Sequence, residues 1–225
     1  MGTLQTYRAN GHAASGYLAI PEGSRGPGIL VIQEWWGLVD HIKSVADRFA
    51  AAGFVALAPD FYHGQVTDSP DTAAKLFMAL NIDRAAADLR GSADFLLGRP
   101  EVAGARVGAL GFCMGGQLAL YAGMVCSEQI GAVVDFYGIH PNVRIDPARL
   151  AVPVLGHFAR RDSSVPVAAA EALATSVIAA GGRFDAHFYD ADHAFFNDTR
   201  PAVFHQESAA LAWDRSVAFL RRHLG

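Results

Sequence analysis

Val107-Gly108-Ala109-Leu110-Gly111-Phe112-Cys113-Met114-Gly115-Gly116-Gln117-Leu118-Ala119-Leu120-Tyr121-Ala122 reads as a strand, a sharp turn and a helix. The first four residues are a short apolar run, and the last six favour a helix. The G-x-C-x-G-G between them lets strand and helix crowd a strained turn, because glycines flank one residue with a side chain. In that setting the central side chain projects from the carboxyl edge of a sheet, and here it is a thiol. The helix begins one residue later, so its free N–H groups and dipole favour a thiolate and offer donors to an oxyanion. Taken alone, the hexapeptide also fits a Gly-rich turn with a buried cysteine, and the surrounding chain has to decide between the two.

On the amino-terminal side, Thr3 to Arg8 and Gly16 to Ile20 read as strands around Asn10-Gly11, a hairpin turn signal, and form an antiparallel edge. Gly28 to Gln33 is a continuous apolar run, as in a strand with helices over both its faces. Asp40 to Ala52 is helical by spacing, closed by Gly53, and Phe54 to Ala58 is the next strand. An irregular excursion, about 61–82, carries a first helix at Thr72 to Leu80 and leads to a second at Asp83 to Leu97; such a segment forms a pocket rim or lid. Beyond the turn come strands at Ala132 to Tyr137, Val154 to Phe158 and Phe184 to Tyr189, and helices at Pro166 to Ala180 and Gln206 to Leu224. Strands and helices alternate throughout, which predicts an α/β fold: a mostly parallel central sheet with helices on both faces. Ligands of such sheets bind beyond the carboxyl ends of the strands.

The 225 residues are 52% hydrophobic, enough for one large core, and the whole chain, 1–225, is expected to be a single domain. A net charge of −4 and a pI near 6.1 offer no basic face to nucleic acid. No uncharged apolar stretch is long enough to span a membrane, and the N-terminus lacks the pattern of a signal peptide. The expected partner is a small molecule, with the chain a monomer or weak homodimer. Two cysteines make no disulfide framework, and a reducing cytoplasm would keep a reactive thiol reduced. Asp60, Tyr62 and His63, or Asp190, Asp192 and His193, lack metal-ligand spacing, so neither metal nor cofactor is expected. Cys126, late in a helix, is expected to be an apolar filler.

Three residues fall just past strand ends, in the order nucleophile, acid, histidine. Cys113 follows Phe112, Asp162 follows the strand ending at Phe158, and His193 follows the strand ending at Tyr189. A thiol with a free pKa of about 8.5 needs a base or an ion-pair partner at neutral pH, which His193 supplies. Asp162 would fix the imidazole tautomer and stabilise its charged form. Asp192 is a second candidate for the acid. It adjoins His193, and a loop neighbour seldom bends back onto the same ring, which favours Asp162.

With these motifs the sequence resembles the dienelactone hydrolase family of α/β-hydrolases from about Gly16 to Leu224. The carriers are Gln33-Glu34-Trp35-Trp36-Gly37, Pro59-Asp60-Phe61-Tyr62, Gly111 to Gly116, Asp135-Phe136-Tyr137-Gly138, the Asp162 loop ending in Val165-Pro166, and Asp192-His193-Ala194-Phe195. The resemblance implies an α/β-hydrolase fold, a Cys113–His193–Asp162 triad, and hydrolysis of an ester or lactone without a cofactor. It further implies that Glu34 takes part in activating the thiol, that the backbone N–H groups of Trp35 and Met114 form an oxyanion hole, and that Trp36, Tyr137, Phe195 and Asn197 contact substrate. The sequence departs from the family where arginines grip an anionic lactone. None occurs between Gln65 and Lys75, and the position four past His193 is Asn197, which cannot form a bidentate cationic clamp. Lys75 and Arg200 are the cations left nearby. Two other functions stay open on the residues alone: a thiol redox protein that senses peroxide through Cys113, and a catalytically silent small-molecule binder on the same scaffold.

Overall fold

The apolar runs become the strands of one sheet. The computed structural model describes residues 1–9, 11–23, 25–140 and 143–225, so Asn10 of the expected hairpin turn lies outside the described residues. The strands are β1 (Thr3–Ala9), β2 (His12–Ala19), β3 (Gly26–Ile32), β4 (Val55–Pro59), β5 (Val102–Phe112), β6 (Ile130–Phe136), β7 (Val154–Ala159) and β8 (Phe184–Tyr189). Their order across the sheet is β1-β2-β4-β3-β5-β6-β7-β8. β1, β2 and β4 pair antiparallel, and β4 to β8 run parallel through β3. The antiparallel edge and parallel centre are those expected.

β3 and β6 start two residues earlier than the sequence indicates, and β2 and β5 at least four. β2 begins at His12 rather than Gly16, because pairing with β1 extends through His12-Ala13-Ala14-Ser15, a segment too short of apolar residues to announce itself. β5 reaches back to Val102, and its register to β6 shifts between Val107 and Gly108. Such an irregularity hides a strand from any test of alternation.

Helices cover both faces. On one side lie α3 (Ile82–Leu97), α4 (Met114–Val125) and α5 (Val167–Ala179), with α2 (Pro70–Ala79) crossing the carboxyl end; on the other lie α1 (Asp40–Ala51) and α6 (Gln206–Leu224). Alternation along β3 divides the core: Leu30 and Ile32 pack with Leu89, Leu96 and Leu118, whereas Ile29 and Val31 pack with Ile42, Phe49 and Leu220. α4 is buried on nearly every side, which is why its sequence is apolar all round instead of amphipathic. Fully burying each such leucine or isoleucine contributes roughly 1.5–3 kcal/mol. The sheet is therefore a rigid platform, and the loops at its carboxyl edge inherit fixed positions. Among the described residues no helix is long and apolar enough to cross a membrane.

Candidate active site

Strand β5 delivers Cys113 to that edge. The residue sits between β5 and α4 with φ 54° and ψ −117°, a left-handed conformation that costs a side chain on the order of 1–3 kcal/mol. Glycines make the turn possible. A Cβ on Gly111 would run into the carbonyl of Gly115, and one on Gly115 into the carbonyls of Ile32 and Gln33. The turn is tied to its neighbour by the Cys113 N–H, which donates to Phe136 O at 2.9 Å. Tyr137 (φ 43°) and Ala194 (φ 63°), at the ends of the next segments, are left-handed too. Backbone tension is thus concentrated around the thiol.

His193 and Asp162 meet beside it. Asp162 Oδ2 lies 2.6 Å from His193 Nδ1, while Oδ1 accepts hydrogen bonds from the backbone N–H groups of Ser164 (2.7 Å) and Val165 (2.9 Å). The carboxylate is thereby aimed at the ring. Burial pulls the His193 imidazole down, but hydrogen bonding to Asp162 and to Cys113, with their charges, outweighs it and pushes the pKa up to about 10. The alternative acid, Asp192, turns outward to Arg161, which also holds Asp190. The ring belongs to Asp162.

A cavity of about 80 Å³ opens over Cys113 and His193. Trp35, Met114 and Tyr137 line it, as do Phe77, Ile139, His140, Ser164 and Val165, which the sequence did not single out. Phe77 arrives on α2, the expected rim, and its ring meets His140 at 4.7 Å. Gln117 of α4 braces the segment past β6: its Oε1 accepts from His140 N–H at 2.9 Å, and its Nε2 donates to Val143 O at 2.7 Å. No lysine or arginine is among the described lining residues. Tyr62 reaches Met114 from below, its hydroxyl donating to the sulfur at 3.2 Å.

Glu34 lies two residues past the end of β3 and is almost fully buried, 2% exposed. Its Oε2 accepts from Asn197 Nδ2 at 2.9 Å, and Asn197 Oδ1 in turn accepts from the Thr199 hydroxyl at 2.7 Å. Burial raises the carboxyl above its usual range, opposed by the charges of His41, His193 and Arg200 and by the bond to Asn197. Asn197, expected among the substrate contacts, is therefore already occupied. With Trp36 and Arg200 it lines a separate cavity of about 260 Å³, in which the Arg200 guanidinium lies 5.1 Å from the Trp36 ring centre. Phe195 needs a correction as well. It is fully buried against Tyr137 and Tyr189, because the left-handed turn at Ala194 directs it into the core instead of the cavity. Cys126 is buried as expected, which raises its thiol.

The profile of the dienelactone hydrolase family matches residues 14–224. The chain belongs to the dienelactone hydrolase family. It is 37% identical to the protein named usf of Aquifex pyrophilus over the full length of both, and 31% identical to the carboxymethylenebutenolidase of Pseudomonas sp. strain P51, over 92% of this chain and 89% of that one. A structure from Klebsiella pneumoniae, assigned as a dienelactone hydrolase, superimposes with a TM-score of 0.86 at 28% identity, covering 99% of each chain. Membership in the dienelactone hydrolase family makes the protein an α/β-hydrolase and an enzyme of the hydrolase class.

Proposed function

We propose that the protein hydrolyses an activated ester or lactone through a thioester on Cys113, and that its acyl group is small and uncharged. The observation that carries this is the Asp162–His193 pair set beside a thiol on a strained turn. In the first half-reaction the Cys113 sulfur attacks the carbonyl, an S–C bond forms, and the C–O bond to the leaving group breaks. The proton on His193 passes to the departing alkoxide. Backbone N–H groups of Trp35 and Met114 receive the oxyanion; Met114 opens α4, where the first N–H groups have no partner within the helix.

Acylation changes the histidine. Once the sulfur is esterified, its charge and hydrogen bond no longer favour the imidazolium, and burial again pulls the ring toward neutrality. A neutral His193 can then take a proton from water, whose oxygen attacks the thioester and expels the thiolate. Asp162 holds the tautomer through both halves. The lack of lysine and arginine around the 80 Å³ cavity favours a neutral acyl group over an anionic diene lactone. Placement in the cytoplasm fits a reduced Cys113.

The test is hydrolysis of p-nitrophenyl acetate and of neutral and anionic lactones by wild type and Cys113→Ala. Turnover of neutral substrates that disappears with the thiol, together with an acetyl adduct on Cys113 by mass spectrometry, is the expected result. Equal hydrolysis by Cys113→Ala would sink the mechanism. Faster turnover of the anionic lactone would overturn the choice of substrate alone.

A further inference from the structure

Tyr62 stands between two cavities. One is the 80 Å³ space over Cys113, whose wall includes Met114 and, from α2, Phe77. The other is a space of about 170 Å³ lined by Phe61, Tyr62, Leu76, Ala79 and Leu80, with Arg84 and Asp88, 4.0 Å apart, among its polar groups. Helix α2 therefore gives Phe77 to the first cavity and Leu76 and Leu80 to the second. The buried Tyr62 side chain bridges the two, since its hydroxyl donates to Met114 Sδ at 3.2 Å. Methionine is unbranched and adopts several rotamers, and a thioether is a weak acceptor, so Met114 depends on its neighbours for a fixed shape. Tyr62 supplies it from a loop fastened to the sheet: the Phe61 N–H donates to Gln33 Oε1 at 3.3 Å, and the Tyr62 N–H to Asp60 Oδ1 at 3.0 Å. Phe61, Tyr62 and Met114 belong to one apolar cluster, against which Leu76, Phe77 and Leu80 pack.

We propose that the Tyr62–Met114 contact is the stop that sets acyl-chain length: a short acyl group fits in front of it, and a longer chain needs the space behind; the inference deepens the thioester reading above and rests on it. On that reading the acyl carbon is bonded to Cys113, inside the same 80 Å³ whose wall Met114 forms. A chain too long for this cavity has to displace part of the wall. Phe77 is backed by the His140 ring at 4.7 Å, whereas the Met114 sulfur is held by the Tyr62 hydroxyl. Loss of either the hydroxyl or the sulfur frees the methionine position to turn aside and joins the two spaces along α2. The apolar side of the second cavity then favours an alkyl chain by about fourfold in kcat/KM for each methylene buried. Tyr62 is thus a positioning residue, acting on substrate through Met114.

The test is the chain-length profile, kcat/KM for p-nitrophenyl acetate, butyrate and hexanoate. For wild type it is expected to fall by about tenfold or more from acetate to hexanoate. Tyr62→Phe keeps the ring and loses the donor, Met114→Leu keeps the bulk and loses the sulfur, and each is expected to raise the hexanoate-to-acetate ratio about threefold. Met114→Ala removes the stop and is expected to raise it about tenfold; if that variant does not fold, the other two carry the test. Combining Tyr62→Phe with Met114→Leu is expected to add nothing to either, because both break the same contact. A general loosening of the fold would lower all three rates together and leave the ratio alone. Wild type that takes hexanoate as readily as acetate, or a ratio unmoved by Tyr62→Phe and by Met114→Leu, overturns the proposal. Labelling of Cys113 by methyl and hexyl methanethiosulfonate, read by mass spectrometry, is expected to give the same profile without turnover. Hydrolysis that survives Cys113→Ala strikes at the thioester mechanism instead, and the labelling still reads the stop.

Discussion

His193 stands in the loop after β8 and His157 on the neighbouring strand, and their chemistry runs in opposite directions. His157, within β7, is fully buried; its Nδ1 meets the Tyr189 hydroxyl at 2.8 Å and its Nε2 the Ser216 hydroxyl at 3.0 Å. Burial holds its pKa well below the ordinary histidine range, with His187 and Arg215 adding to the effect. His193 is pulled down by burial too, yet Asp162 and Cys113 carry it up to about 10. Both rings are bonded at Nδ1. The difference is whether the partner is an anion or a neutral hydroxyl: a fully satisfied histidine is inert, and a carboxylate makes it chemically responsive.

Replacing that anion gives the largest effect. Asp162→Asn is expected to lower kcat/KM for p-nitrophenyl acetate by about 10³–10⁴-fold and to bring the His193 titration, followed by NMR, down toward that of His157. Next comes Tyr189→Phe, which strips the neutral partner from His157 Nδ1. It is expected to cost about 1–3 kcal/mol in urea unfolding and to leave ester hydrolysis nearly intact. The third test is the pH dependence of stability. His193 has a raised pKa, so its contribution is complete below about 6.5, the unfolded value, and is lost as the pH climbs through about 10. His157 has a lowered one, so its contribution is lost as the pH falls below about 6.5, where the unfolded chain takes a proton that the folded chain refuses. Urea midpoints from pH 5 to 11 are expected to show His193→Gln flattening the alkaline limb and His157→Gln the acid one. The smallest effect belongs to Asp192→Asn. Its carboxylate pairs with Arg161 on the surface, so hydrolysis is expected to stay within about twofold of wild type.

Local signals had made the turn at Cys113 and the helix Gln206–Leu224 readable in the sequence, because flanking glycines and a long apolar period declare themselves. The meeting of Asp162 with His193 was readable from position after a strand, since the sheet fixes where such loops emerge. Other features depend on pairing or on single dihedral angles. His12 to Ser15 join β2 only because β1 lies opposite. Phe195 enters the core because Ala194 turns left-handed. Asn197 looked like a substrate contact from its place four residues past His193, but its amide is bound to Glu34 and Thr199. Phe77 and Val165 reach the cavity from segments remote in sequence, and His140 through a brace from Gln117. No residue pattern near Cys113 announces them.

The left-handed backbone at Cys113, Tyr137 and Ala194 has a consequence for anyone who breeds this protein. Glycine accepts those angles freely, so Cys113→Gly and Ala194→Gly are each expected to relieve tension and raise the melting temperature in a thermal scan. A library sorted on heat resistance alone would be expected to collect such changes at the carboxyl edge of the sheet and to discard the Cys113 thiol among the first, whereas a screen that also weighs turnover is expected to retain it.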